Sequence, residues 1–238
     1  MISRNTGIKK FWKNGTTINA HGEPANPSIH KSIIRALHHS ISLLLFLLLG
    51  SCLTFGCSRL PVIYDLSRMS YTFLNQDNAE VSFPSAYKGK IVVMSFIYTH
   101  CPDICPLTTN NMQHLQDTLS MKGIRNVEFV TLTFDPNRDT PHVLKEYAAI
   151  RGINFNDPQR GKWDFLSGPK ANTDSVLYSM DVRYFPGDSS YTKDGQLVYY
   201  ITHVDKSVLI DQRGKVRGTY SGSQLNFEQI IEDIRSLE

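Results

Sequence analysis

The sequence predicts an α/β fold, a central mixed β-sheet flanked by helices, on three observations. Residues 89–99 (GKIVVMSFIYT) and 127–135 (VEFVTLTFD) are near-continuous apolar runs rich in β-branched and aromatic side chains. Such runs suit strands covered on both faces, where the alternation of polar and apolar residues is lost. The segments that follow each run carry apolar residues at three- and four-residue intervals, the period of a helix with one buried face. Late in the chain, KSVLI and KVRGTY flank Gln212-Arg213-Gly214, which reads as the turn of a β-hairpin.

Residues 58–70, with Pro61 and mixed polarity, read as a tether. The strand at 89–99 leads into a helix that Pro106 opens, since proline suits the first helical position, and that Gly123 closes. Leu107, Met112, Leu115 and Leu119 supply its apolar face. After the strand at 127–135, Thr140 and Pro141 open an amphipathic helix that runs to Ile150. KWDFLSG (162–168) reads as a short strand and residues 170–180 as a further helix. Residues 186–196 (PGDSSYTKDGQ), rich in glycine and serine, read as a mobile loop placed to close over a site or to meet a partner. LVYYITH (197–203) precedes the hairpin, and residues 225–237 make a terminal helix. Strand, helix, strand, helix, then a β-hairpin and a helix is the thioredoxin-like order, here with an inserted strand and helix before the hairpin.

The chain of 238 residues, 41% hydrophobic and 20% charged, has the composition of an ordinary globular protein. A formal charge of +3, with no basic stripe and interleaved aromatics in the body of the chain, sets nucleic acid aside as a partner. Residues 1–57 differ from the rest. Lys9, Lys10, Lys13, Lys31 and Arg35 are accompanied by one acid, Glu23, before ISLLLFLLLGSCLTFGC (41–57). The unbroken apolar stretch from Ile41 to Leu49 has the length of a signal-peptide core. It is short for a membrane span, which needs about 20 apolar residues. Leu49-Gly50-Ser51-Cys52 resembles a bacterial lipobox, whose cysteine becomes the lipidated first residue of the mature protein. Cys57 fits that pattern less well, because Thr54 stands where an aliphatic residue belongs. The other reading of 1–57 is an uncleaved N-terminal membrane anchor. Both place the tether and the domain at 71–238 in the cell envelope, membrane-anchored on the extracytoplasmic side.

The body of the chain then holds two cysteines, Cys101 and Cys105, in YTHCPDICP. They fall between a strand's carboxyl end and the next helix, where α/β sheets commonly bind ligands and where a helix N-terminus favours a thiolate. In an oxidising compartment they are a candidate disulfide, Cys101–Cys105. Yet the spacing is CxxxC, one residue longer than the CxxC redox motif. Two helical residues four apart hold their Cβ atoms about 5–6 Å from each other, whereas a disulfide wants about 3.8 Å. Two thiolates that converge without bonding suit a soft metal ion, copper(I) first and zinc as its competitor. The plainer alternatives are a stabilising disulfide or two buried thiols.

Two thiolates leave copper(I) short of a third ligand and zinc short of two, and histidine is the commonest metal-binding side chain. Beyond the leader stand His100, His114, His142 and His203. His114 lies nine residues past Cys105, on the opposite side of a helix. His100 alternates away from Cys101 if the strand persists that far. His142 opens the helix after RDTP, with no reason to face the cysteines. His203 ends an apolar, aromatic run in a region that the fold places beside the cysteine loop.

These residues resemble the SCO/SenC proteins, copper-binding thioredoxin-like factors for cytochrome c oxidase assembly. The matching stretches are GKIVVMSFIYTHCPDICP, VTLTFDPNRDTPHVLKEYA, WDFLSG and the H-x7-D of HVDKSVLID, which together span roughly residues 70 to 235. The resemblance implies that Cys101, Cys105 and His203 bind copper. It departs in one place: the family often has Asp before that histidine and Ser or Thr after it, where this chain has Thr202 and Val204. The distance from His203 to Asp211 is kept. Asp103 belongs to the cysteine motif as a turn residue or as a partner contact, and Asp135 and Asp139 in DPNRDT most simply cap turns and the following helix.

The function implied is a membrane-tethered copper metallochaperone that loads the copper centre of cytochrome c oxidase, with subunit II as the recipient. A thiol–disulfide oxidoreductase acting on exported cysteine pairs, with Cys101 and Cys105 as its redox couple, is the rival reading. A redox or copper sensor without delivery is a third. A peroxidase is disfavoured, because no PxxxTxxC motif occurs.

Overall fold

Every residue of Ile91–Ile97 is buried, which is why the sequence there shows no alternation. A computed structural model describes residues 60–155, 157–195 and 197–238. In chain order its elements are β1 (Tyr64–Asp65), β2 (Tyr71–Leu74), β3 (Glu80–Phe83), a short 3-10 turn at Ser85–Tyr87, β4 (Ile91–Ile97) and α1 (Ile104–Met121). Next come β5 (Val127–Thr133), α2 (Pro141–Ile150), β6 (Trp163–Leu166) and α3 (Lys170–Ser179). The chain closes with β7 (Tyr184–Tyr191), β8 (Leu197–His203), β9 (Ser207–Ile210), β10 (Lys215–Tyr220) and α4 (Phe227–Leu237).

The central sheet has six strands in the order β1-β10-β9-β4-β5-β6. β4, β5 and β6 run parallel, while β9 lies antiparallel to β4 and β10 antiparallel to β9. The sheet is therefore mixed and thioredoxin-like, as the order of elements predicts, with β6 and α3 inserted before the hairpin β9–β10. Its middle is held by burial. Leu132, Val93, Leu209 and Phe165 are fully enclosed, and each such side chain contributes about 1.5–3 kcal/mol. Trp163 stacks on Phe165 and donates its indole N–H to Thr131 Oγ1 at 2.9 Å, so its one polar atom is satisfied.

The helix boundaries follow the capping chemistry. Thr140 caps α2 by accepting from the Val143 N–H, with Pro141 just inside the helix as predicted. Asn226 does the same for α4, whose Ile230, Ile231 and Ile234 turn inward. Gly123, at φ +72, closes α1. That helix starts earlier than Pro106 suggests, at Ile104; Pro106 sits within the first turn, where its missing N–H has no intrahelical partner to lose. Leu107 is exposed and not part of the apolar face. The buried stripe runs Cys105, Thr108, Thr109, Met112, Leu115, Gln116 and Leu119, and Leu107 lies off it in the helical period.

Two expectations about irregular segments are corrected. Residues 60–70 do not hang free as a tether: Tyr64 and Asp65 pair with Val216 and Lys215, Leu66 is fully buried, and Arg217 donates to the Leu60 carbonyl at 2.7 Å. The polar residues of this segment hide an edge strand. Residues 186–196 are not a loop throughout, because their first half belongs to β7. β7 pairs with β8 in a separate two-stranded arm, from Tyr184 opposite His203 to Tyr191 opposite Leu197, with an irregularity between Pro186 and Ser189. Burial never imposes alternation there, since most of β7 is exposed, and composition alone resembles a loop.

The leader at 1–57, with Cys52, lies outside the described residues. Among the described residues, no helix is long and apolar enough to cross a membrane.

Candidate metal centre

β4 ends at Ile97, and the chain turns through Tyr98, Thr99 and His100 before Cys101. Asp103 occupies the cap position of α1, yet its side chain makes no cap bond and is exposed. Cys101 Sγ takes that place, accepting from the Cys105 N–H at 3.5 Å. Cys101 therefore precedes the helix, and the spacing of two helical residues four apart does not govern the pair. Both cysteines are free thiols here. Cys105 is fully buried in the first turn of α1, and Cys101 is 9% exposed.

His203 is the last residue of β8. Its Nε2 lies 3.6 Å from Cys105 Sγ, and the ligand atoms of Cys101, Cys105 and His203 all fall within 4.8 Å of one another. The ring is wedged between aromatic neighbours, 4.7 Å from the Phe134 ring and edge-on to Tyr98 at 6.0 Å between centroids. Its other nitrogen, Nδ1, sits 3.2 Å from the Val204 carbonyl. A carbonyl only accepts, so Nδ1 carries a hydrogen and Nε2 is the nitrogen that faces the sulfurs, donating to Cys101 when the ring is protonated and presenting a lone pair when it is neutral. Because the orienting partner is backbone, the departures at Thr202 and Val204 leave it intact.

The two sulfurs are electrostatically unlike. Hydrogen bonding from the Cys105 thiol, then from the His203 ring and from the N–H groups of Cys105 and Asp103, lowers the Cys101 pKa to about 3 against the opposing effect of burial. Cys105 is pushed up, first by its bond to Cys101 and then by burial. Burial disfavours a charged His203, but the Cys101 sulfur, the Val204 carbonyl and the charge of Asp205 together hold its pKa above the ordinary value. One thiolate, one buried thiol and one correctly oriented imidazole form a compact donor set of the soft type, suited to a thiophilic ion or to redox exchange.

The other sequence candidates lie elsewhere. His100 is exposed and bonds its neighbour Thr99. His114 is exposed, and His142 faces Glu146 on the outer side of α2. Asp211 belongs to the β9–β10 turn, where it accepts from the N–H groups of Arg213 and Lys215 and pairs with Arg217 at 2.7 Å. Asp135 and Asp139 do not cap as expected: Thr140 caps α2, and the two carboxylates bond to side chains and to the cysteine loop instead. Asp139, fully buried, accepts from the Thr99 N–H, the Thr99 hydroxyl and the Thr133 hydroxyl, which fastens the cysteine loop to the end of β5. Asp135 accepts from Tyr199 and Arg138.

Tyr98 and Phe134 had no place in the sequence reading, although they form the walls against His203. The Tyr98 hydroxyl also accepts from the Ile201 N–H at 3.3 Å. The period-2 series Tyr199, Ile201, His203 was the available signal, since one strand face must turn all three toward the body.

The SCO1/SenC family model matches residues 65–238. The SCO1 protein homolog of Bacillus subtilis (strain 168) is 31% identical over 196 residues, 81% of this chain and 92% of that protein. A solved SCO1/SenC family lipoprotein from Bacillus anthracis str. Ames is 30% identical with a TM-score of 0.59, covering 75% of this chain and 98% of that one. BsSco, described as a member of the Sco family of cytochrome c oxidase assembly proteins and as holding a disulfide switch, is 28% identical with a TM-score of 0.57, covering 74% and 95%. Bradyrhizobium japonicum ScoI, solved with copper bound, is 25% identical with a TM-score of 0.56, covering 71% and 98%.

Proposed function

The chain belongs to the SCO1/SenC family, and on that premise we propose that it is a membrane-tethered copper metallochaperone serving the copper centre of cytochrome c oxidase. The observation that carries the reading is the convergence of Cys101, Cys105 and His203. Copper is the cargo. Cys101 is ready as a thiolate, Cys105 gives up its proton on loading, and His203 offers Nε2 because the Val204 carbonyl holds the hydrogen on Nδ1. His100, Pro102 and Asp103 are exposed beside the sulfurs, and a ligand of the recipient would enter from that side to take the ion by exchange. Copper bound to Bradyrhizobium japonicum ScoI supports copper as the metal. The assembly role named for BsSco supports cytochrome c oxidase as the destination; subunit II as the recipient comes from the sequence resemblance. The lipoprotein from Bacillus anthracis supports lipidation of Cys52, and with it an extracytoplasmic location in the cell envelope.

The unequal thiols favour a second activity on the same residues. The Cys101 thiolate would attack an exported disulfide, forming a mixed disulfide and releasing one substrate thiolate. Cys105, after losing its proton, would displace the second thiolate, leaving a reduced substrate and a Cys101–Cys105 disulfide. That oxidised form holds no free thiolate and would not load copper.

The test is transfer. Reduced protein loaded with one copper(I) is mixed with the metal-free soluble domain of subunit II, and copper is followed on both after separation. Movement of the ion to subunit II supports the reading; retention on the donor under conditions where a small chelator can remove it contradicts delivery.

A further inference from the structure

Among the described residues the arm β7–β8 pairs only with itself, so its seat on the domain depends on side chains. His203 stands at the base end of β8, and four residues earlier Tyr199 is gripped by the body. The Tyr199 hydroxyl donates to Asp135 Oδ1 at 2.8 Å. Arg138 Nη1 donates to the Tyr199 carbonyl at 3.2 Å, and its guanidinium lies 3.5 Å over the Tyr199 ring. Arg138 Nε is bonded in turn to Asp135 Oδ2, so the two body residues hold each other as they hold the arm. Asp135 is buried at the end of β5, next to Phe134, which contacts the His203 ring.

We propose that Asp135, Arg138 and Tyr199 are a positioning latch that sets how firmly His203 is held over the two sulfurs. The inference rests on the metallochaperone reading for its consequence and on geometry alone for its mechanism. Tyr199, Ile201 and His203 share one strand face, so fixing the first fixes the tilt of the strand that carries the third. Closer to His203, the Ile201 N–H bonds the Tyr98 hydroxyl and the Val204 N–H bonds the Arg183 carbonyl. On β7, Tyr184 opposite His203 is held too: its hydroxyl donates to Asp174 Oδ1 at 2.6 Å and its ring stacks on Phe134. The latch is the fastening of β8 itself: two hydrogen bonds and a cation–π contact converge on Tyr199, and an ion pair joins the two body residues that make them. Loosening it lets the arm tilt and takes the imidazole from the ion, while Cys101, on a loop tied down separately by Asp139, and Cys105, in the first turn of α1, stay in place.

Tyr199→Phe tests this with little disturbance, since it removes only the hydroxyl. In metal-free protein, amide exchange at Ile201 and Val204 is measured, and nuclear Overhauser contacts between the His203 and Phe134 rings are recorded. Faster exchange and weaker ring contacts in the variant, with exchange in β4 and β9 unchanged, are expected. In copper(I)-loaded protein, release to bicinchoninate should be about tenfold faster, and adding Tyr199→Phe to His203→Ala should change release no further. Asp135→Asn is the second variant and should act in the same direction. Unchanged exchange and ring contacts in both variants overturn the latch. So does a release effect that adds in full to His203→Ala, because Tyr199 would then act by another route. If the parent protein binds no copper(I), the metallochaperone reading fails, and the exchange and ring contacts still decide the latch.

Discussion

Cys105 Sγ and His203 Nε2 lie 3.6 Å apart although 98 residues separate them. The sheet brings them together: β4 delivers the cysteine loop at its carboxyl end, and the arm that ends in His203 folds over the aromatic shelf of Tyr98 and Phe134. A binding site for a soft ion is thus assembled only in the folded chain, and the imidazole is its most removable part.

Replacement of His203 by alanine is expected to weaken copper(I) binding about a hundredfold, or ~2.7 kcal/mol, while leaving the fold intact, because the side chain is only half-buried. Competition against a copper(I) chelator measures it. Replacing His100, His114 and His142 together should leave affinity unchanged, since all three are exposed and none joins the group formed by Cys101, Cys105 and His203.

The sulfurs should titrate differently in the metal-free, reduced protein. Cys101 has its pKa lowered to about 3, so its thiolate is present above that pH. Its alkylation by iodoacetamide should be nearly flat from pH 5 to pH 8 and fall only on strong acidification. An ordinary thiol, with pKa about 8.5, instead reacts about tenfold faster per pH unit over that range. Cys105, raised and fully buried, should stay unlabelled. Peptide mass spectrometry after timed labelling distinguishes the two.

Asp211 and Asp139 should separate stability from metal binding. Asp211→Ala removes the buried partner of Arg217 and two turn bonds, at the far end of β9 from the cysteine loop. It should cost about 3 kcal/mol in denaturant unfolding and leave copper affinity unchanged in the folded protein. Asp139→Ala strands the donors of Thr99 and Thr133. It should cost about 2–4 kcal/mol and also weaken copper binding, because Thr99 anchors the loop that carries Cys101.

The strands of the central sheet were legible because burial on both faces writes a continuous apolar run, as in Ile91–Ile97 and Val127–Thr133. The helix α2 was legible to the residue because Thr140 and Pro141 are a cap and a first-turn proline. The arm was not. Its β7 is held by pairing with β8 and by few buried side chains, so Gly187 and the serines look like loop. The edge strand at Tyr64 was hidden for a related reason, since a two-residue strand has no periodicity to detect. At the site, residue type and spacing marked the two cysteines, but His203 needed the family resemblance to stand above three other histidines. The roles of Asp135, Arg138 and Tyr199 depend on contacts across 64 positions of sequence, which no local pattern records.

X-ray absorption of the reduced domain loaded with one copper(I) tests the central claim most directly. Three near neighbours, two sulfur and one nitrogen, with the nitrogen lost in His203→Ala, are the predicted result. Two sulfurs alone, with a spectrum that His203→Ala does not alter, would contradict it.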